Sequence, residues 1–156
     1  MAFEIERKYL VDHGKWAKVN KPDGRLIRQG YLIMTDNKTI RVRITGDNAF
    51  LTIKGKTIGL SRAEFEYKIP VQDAEELLNT LSLSELSKTR YEIHYEEKLW
   101  EVDIFHDLNE GLIVAEIELS DEDEKFGLPD WVADEVTDDP KYYNSNLTIT
   151  PFKNWK

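Results

Sequence analysis

The sequence predicts a mainly β (α+β) protein built on an antiparallel sheet of about eight strands. Three observations carry this expectation. Apolar and polar residues alternate with a period of two over residues 3–11, 26–34, 39–45, 49–54, 63–70, 86–95, 99–105 and 112–119. Short turn sequences separate several of these runs, which suits consecutive hairpins and a mainly antiparallel sheet. Helical periodicity is confined to short stretches. About eight strands is also enough to close a sheet into a barrel that holds one small ligand.

The connections follow in order. Asn37 and Lys38 lie in the turn between the second and third strands. Gly46-Asp47-Asn48 is a strong hairpin signal between the third and fourth, because Gly and Asn tolerate positive φ. Residues 73–81 carry Ala74, Leu77, Leu78 and Leu81, the apolar stripe of an amphipathic helix. Glu96-Glu97 is a weaker turn between the sixth and seventh strands, and Asn109-Glu110-Gly111 marks the next. Residues 120–125 suggest one more turn, with acids near its positive end. Asp139-Pro140 reads as an N-cap followed by Pro at the first helical position, with Tyr143 and Leu147 on one face of a short C-terminal helix.

The 156 residues are expected to form a single domain over 1–156, long enough to bury a real core. There is no Cys, which excludes disulfides, thiolate metal sites and cysteine nucleophiles. A net charge of -9 argues against a nucleic-acid partner, whose phosphates require a basic surface. No apolar run approaches the ~18 residues of a membrane span, and the opening residues lack a signal-peptide pattern. The expectation is a soluble, cytoplasmic protein with no membrane partner.

The placement of charge is the most informative feature. Side chains at i and i+2 share a strand face, and here like charges pair at that spacing: Glu4/Glu6, Arg41/Arg43, Glu64/Glu66, Lys88/Arg90 and Glu116/Glu118. Lys8 extends the first set and Lys68 the third, while Lys54, Glu101 and Asp103 add to the same face. The opposite faces are apolar, as in Phe3/Ile5, Val42/Ile44 and Val102/Ile104. A merely solvated face would mix signs, because adjacent like charges repel. Carboxylate pairs suit a divalent cation, and Arg/Lys pairs suit phosphate or carboxylate oxygens. Barrel closure would bring all these doublets around one cavity, with the apolar faces outside and in need of cover.

The residues that carry these doublets resemble the CYTH superfamily, the triphosphate tunnel metalloenzymes. Glu4-Ile5-Glu6-Arg7-Lys8 is similar to its N-terminal Glu-x-Glu-x-Lys signature. Arg41-Val42-Arg43, Leu51-Thr52-Ile53-Lys54, Glu64-Phe65-Glu66, Lys88-Thr89-Arg90, Glu101-Val102-Asp103 and Glu116-Ile117-Glu118 follow in the family's order, over nearly the whole chain. The resemblance implies an eight-stranded antiparallel barrel forming a tunnel, a requirement for Mg²⁺ or Mn²⁺, and a triphosphate-containing small-molecule substrate. The short bacterial-type members resemble it best, which favours inorganic tripolyphosphate. Class IV adenylate cyclases and thiamine, nucleoside or RNA triphosphatases share the fold, which alone does not separate them. A non-catalytic polyphosphate-binding module is disfavoured, since it would have little use for the acids.

On this reading Lys8, Arg41, Arg43, Lys54, Arg62, Lys88 and Arg90 hold phosphate oxygens. Glu4, Glu6, Asp103, Glu116 and Glu118 are the candidate metal ligands. Glu4, Glu6, Lys8, Glu64 and Glu66 carry the catalytic roles, with Glu64 and Glu66 orienting the attacking water or holding a second metal. Tyr31, which shares inward parity with Gln29, is a candidate proton-transfer partner of a tunnel lysine, as in related enzymes. Lys141, Tyr142 and Asn144 begin the C-terminal helix, which in relatives closes one tunnel end. Gly55-Lys56-Thr57 is not a P-loop, since Phe50 stands where that motif needs Gly. His13, His94 and His106 have no metal-site spacing. Apolar outer faces make a homodimer an expectation to test.

Overall fold

The structure, a computed structural model, describes residues 3–155. The strands are β1 (Phe3–Val11), β2 (Arg25–Met34), β3 (Lys38–Thr45), β4 (Asn48–Gly55), β5 (Ser61–Ile69), β6 (Ser84–Tyr95), β7 (Lys98–Phe105), β8 (Ile113–Glu118) and β9 (Val132–Glu135). The helices are α1 (His13–Trp16), α2 (Val71–Leu81) and α3 (Asn144–Ile149). Every strand pairing is antiparallel. The sheet order is β5-β4-β3-β2-β6-β7-β8-β1-β9, and the additional β5–β1 pairing closes the first eight strands into a barrel. β9 was not expected from the sequence. It pairs with β1 at Tyr9 and Val11, beyond the three residues of β1 that pair with β5. It therefore extends an edge that barrel closure leaves open.

The eight expected strands are present with small shifts at their ends. Gly46, at φ +58, permits the two-residue link between β3 and β4. Glu96 and Glu97 make an equally tight link with φ of 47 and 65, a conformation their side chains do not favour, which is why that turn is weak in the sequence. α2 begins two residues earlier than expected, directly after Pro70. It buries Ala74 and Leu78, while Leu81 at its last position is exposed instead of packed. The C-terminal helix is split: Asp139 caps a 3₁₀ turn over Pro140–Tyr142, and α3 starts only after Tyr143. Among the described residues, no helix is long and apolar enough to cross a membrane.

The barrel turns its apolar residues outward and covers them in sections. Tyr9, Trp100, Val102, Ala115 and Ile117 pack under Trp16 and Trp131, with Phe126 against the same cluster. Val42 and Ala49 pack under Ala74 and Leu78 of α2. Where β1 begins and along β5 this cover is missing among the described residues, and Phe3, Phe65 and Tyr67 are exposed there. One end of the interior is apolar as well. Leu86, Phe105 and Val114 share strand parity with Lys88, Asp103 and Glu116, and they pack with Leu10 against Tyr142 and Leu147. The segment around α3 thus stoppers that end of the barrel.

Trp100 is fully buried, with ring centroids 5.6 Å from Tyr9 and 5.8 Å from Trp131. Trp100→Ala should cost about 4 kcal/mol of stability. Trp100→Phe should cost less, because the indole N–H has no partner to lose. Urea denaturation of the two variants checks this order.

Candidate active site

Period-two geometry points the charged doublets of β1, β3, β5, β6 and β8 into one cavity of about 250 Å³. Its wall takes Glu4, Glu6 and Lys8 from β1, Tyr31 from β2, Arg41 and Arg43 from β3, and Lys54 from β4. Arg62, Glu64 and Glu66 come from β5, Lys88 and Arg90 from β6, Glu101 from β7, and Glu116 and Glu118 from β8. Thr57, Gly59 and Leu60 of the β4–β5 loop and Tyr143, Asn144 and Ser145 at the start of α3 complete it. Every site residue expected from the sequence lines this cavity except Asp103, which lies fully buried behind it. Lys68 is exposed and, like His94, does not line the cavity.

Asp103 is the centre of a cation cluster. Lys88 Nζ donates to Asp103 Oδ2 at 2.7 Å, and Arg90 donates to both carboxylate oxygens at 2.7 and 2.8 Å. Burial alone would raise this carboxyl, but Arg90 and Lys88 override it and hold it well below the usual range. Both oxygens are thus engaged by cations, which suits Asp103 to fixing Lys88 and Arg90 better than to binding a metal. Lys88 feels the opposite imbalance. Burial is the main influence, and Arg90 and Arg43 add to it, pulling the ammonium down to about 7 despite Asp103. Burial, then Arg41 and Arg90, likewise lowers Arg43 to about 9. This zone holds more positive charge than its acids neutralise.

The opposite zone has surplus acid. Burial, then Glu116 and Glu4, pushes Glu6 well above the ordinary carboxyl range. Burial also raises Glu64 and Glu118, with Glu4 adding to both. Cross-strand register sets Glu6 opposite Glu118 and Glu101 opposite Glu116. Lys54 partly compensates, with Nζ 2.9 Å from Glu4 and 3.2 Å from Glu64. Burial opposes ionisation of Glu116 too, but Lys8, 3.7 Å away, and Arg90 hold it at about 2. Among the described residues, no three acids or histidines already converge as a formed metal cage. The donor set still fits a hard divalent cation: it is all carboxylate oxygen, crowded and under-neutralised.

The wall residues have further partners on β4 and the C-terminal segment, whose contacts were not expected from the sequence. Thr52 is fully buried between Arg41, which donates to it at 3.3 Å, and Glu66, to which it donates at 3.0 Å. Asn144 accepts from Lys88 Nζ at 2.8 Å, and Tyr142 O accepts from Lys8 Nζ at 3.3 Å. Thr52 shares parity with Lys54, which is a usable signal. Asn144 and the 137–138 wall depend on how the C-terminal segment folds back, which no local pattern encodes.

A closed barrel with a polarised, ion-lined interior is the mark of a protein that binds a small polyanion together with cations. The chain belongs to the CYTH domain family, whose model matches residues 2–148. It is 46% identical to the inorganic triphosphatase of Acetivibrio thermocellus, covering 100% of this chain and 99% of that one. It is 37% identical to the inorganic triphosphatase of Nitrosomonas europaea, over 94% and 97% of the two chains. A crystal structure of an inorganic triphosphatase superposes with a TM-score of 0.66 at 32% identity, covering 96% of each chain. A putative adenylate cyclase from Bacillus halodurans shares the fold, with a TM-score of 0.63 at 20% identity over 78% of this chain and 84% of that one.

Asp103→Asn should strip two buried cations of their counter-charge and destabilise the fold by about 3 kcal/mol at pH 7. Because the folded-state carboxyl titrates below its unfolded value, its contribution is present above about pH 4 and fades as pH falls further. Urea denaturation of wild type and variant at pH 7 and pH 3 should therefore show the gap narrowing in acid.

Proposed function

We propose that this protein is a divalent-metal-dependent inorganic triphosphatase that hydrolyses tripolyphosphate to pyrophosphate and phosphate. The observation that carries the reading is the segregation of charge along one enclosed cavity, with a cation surplus around Lys88, Arg90 and Arg43 and a carboxylate surplus around Glu6, Glu64 and Glu118. The names of the two bacterial relatives agree with it.

Arg41, Arg43, Lys88 and Arg90 hold the phosphate oxygens at depth, the arginines through paired N–H groups and Lys88 as a point charge. Lys8, Lys54 and Arg62 neutralise the rest of the chain. Glu4, Glu6, Glu116 and Glu118 would hold Mg²⁺ or Mn²⁺, which when bound offsets phosphate charge and polarises the attacked phosphorus. Glu64 and Glu66 orient the water, and Glu64 is suited to take its proton because burial and Glu4 already raise its carboxyl. Water attacks the terminal phosphorus, the bridging P–O bond breaks, and pyrophosphate leaves. Tyr31, whose hydroxyl accepts from Gln29 at 3.2 Å, takes the role of proton-transfer partner of a tunnel lysine.

The decisive screen measures phosphate release from tripolyphosphate, ATP, GTP and thiamine triphosphate with Mg²⁺, Mn²⁺ or chelator, and cyclic AMP from ATP. Tripolyphosphate should be turned over fastest, and chelator should stop it. Glu116→Gln with Glu118→Gln should lower kcat more than about 100-fold while thermal unfolding stays cooperative. Unchanged turnover in that variant would refute the metal assignment.

We also propose a homodimer across the uncovered β1–β5 face, since exposed Phe3, Phe65 and Tyr67 form a continuous apolar surface with β4. Light scattering should give twice the monomer mass, and Phe65→Lys with Tyr67→Lys should restore the monomer.

A further inference from the structure

Most lining cations already have a carboxylate partner. Lys54 has Glu4 and Glu64, Lys8 has Glu116, Arg41 has Glu66, and Lys88 and Arg90 share Asp103. Among the described residues, Arg43 and Arg62 alone on the wall have no carboxylate within ion-pair distance. Arg62 is tied to the Gly55 carbonyl. Arg43 is held by a neutral side chain. Its Nε donates at 2.9 Å to Oε1 of Gln29, which is fully buried.

The Gln29 amide is in turn fixed. Its Nε2 donates to Tyr31 Oη at 3.2 Å and to Asn144 Oδ1 at 3.3 Å. Because guanidinium only donates, the amide oxygen must face Arg43, and the amide nitrogen must face the other two. β-sheet register places Gln29 directly opposite Arg43 on β3. A buried amide that spends three bonds in this way is a device for orientation. It contributes no net charge.

We propose that Gln29 is a positioning residue for substrate binding: it fixes the Arg43 guanidinium through a neutral acceptor, leaving both terminal nitrogens and the full positive charge for a phosphate of the substrate. A carboxylate at this position would hold Arg43 equally well but would compete with the phosphate. An apolar side chain would leave the charge intact but the guanidinium unaimed. The inference rests on the triphosphate reading of the same cavity.

The test compares Gln29→Glu and Gln29→Leu with wild type, each also combined with Arg43→Ala. Tripolyphosphate binding is measured by calorimetry in chelator, and KM and kcat are measured with Mg²⁺. Gln29→Glu should weaken binding and raise KM about tenfold or more. Gln29→Leu should do so by a smaller factor, and kcat should change less than KM in both, because binding common to ground and transition states is lost. In the Arg43→Ala background both effects should vanish, since the residue they act through is gone. Binding and KM within twofold of wild type for both variants, or effects that persist undiminished without Arg43, would overturn the proposal. Should one variant fail to unfold cooperatively, the other alone decides. Wild type that binds tripolyphosphate without hydrolysing it would refute the hydrolase reading and leave the Gln29 result standing, while wild type that does not bind it overturns both.

Discussion

Closing a sheet of period-two strands forces every inward side chain into the same narrow space, and in this chain those side chains are mostly ions. Each buried charge must find a counter-charge or lose its ionisation. Asp103 meets that demand for two cations at once, accepting from Lys88 and both faces of the Arg90 fork. Elsewhere the balance is deliberately incomplete. The acids near Glu6 and the cations near Arg43 lean away from their ordinary protonation because nothing inside the protein fully offsets them. That residual imbalance is what a bound polyanion and its cations would resolve, so the same constraint that threatens the fold defines the site.

The inverted interior dictates the rest of the architecture. With ions inside, the apolar strand faces must be buried from outside, and each non-barrel segment has that task. α2 lays Ala74 and Leu78 on Val42 and Ala49, while α1 and the loop after Leu119 bring Trp16, Phe126 and Trp131 over Trp100. Gly30 of β2 shows how closely α2 sits, since a Cβ there would meet Leu78 Cδ2 at 2.7 Å. β9 extends the open edge of β1 beside this layer. Those packed apolar layers supply the folding free energy that the ionic interior does not.

Most of the barrel could be read directly from the residues, because alternation over eight runs and the parity of Arg41/Arg43 or Glu116/Glu118 are local properties. The same parity placed fourteen of the named site residues on one wall, with Asp103 just behind it. What local pattern could not supply was pairing. Asp103 has the alternation of a metal ligand, and only the register that sets it opposite Arg90 reveals its two cation partners. β9 is four residues long, too short for alternation to rise above its acidic surroundings. Asn144 reaches Lys88 from 56 positions away, through a fold-back that depends on Tyr142 and Leu147 finding the apolar end of the barrel.

That apolar end gives the cavity a direction. Along β6 the inward residues run Leu86, Lys88, Arg90; along β7 they run Phe105, Asp103, Glu101; along β8, Val114, Glu116, Glu118; and along β1, Leu10, Lys8, Glu6, Glu4. Each strand begins apolar at the stopper and becomes charged away from it. Glu4 and Glu6 of β1 and Glu118 of β8 stand furthest from the stopper, on the cavity wall that the 57–60 loop completes. A bare polyanion approaching from this side meets carboxylates before it reaches the arginines, and like charges in a low-dielectric channel repel strongly. Neutralising those carboxylates therefore eases entry as well as serving the chemistry. The stopper adds a constraint of its own, because a chain can reach the Arg43 and Lys88 layer only end first. Both effects follow from where the apolar residues of four adjacent strands fall, and they favour a short phosphate chain with a free terminus over any internal segment of a longer one.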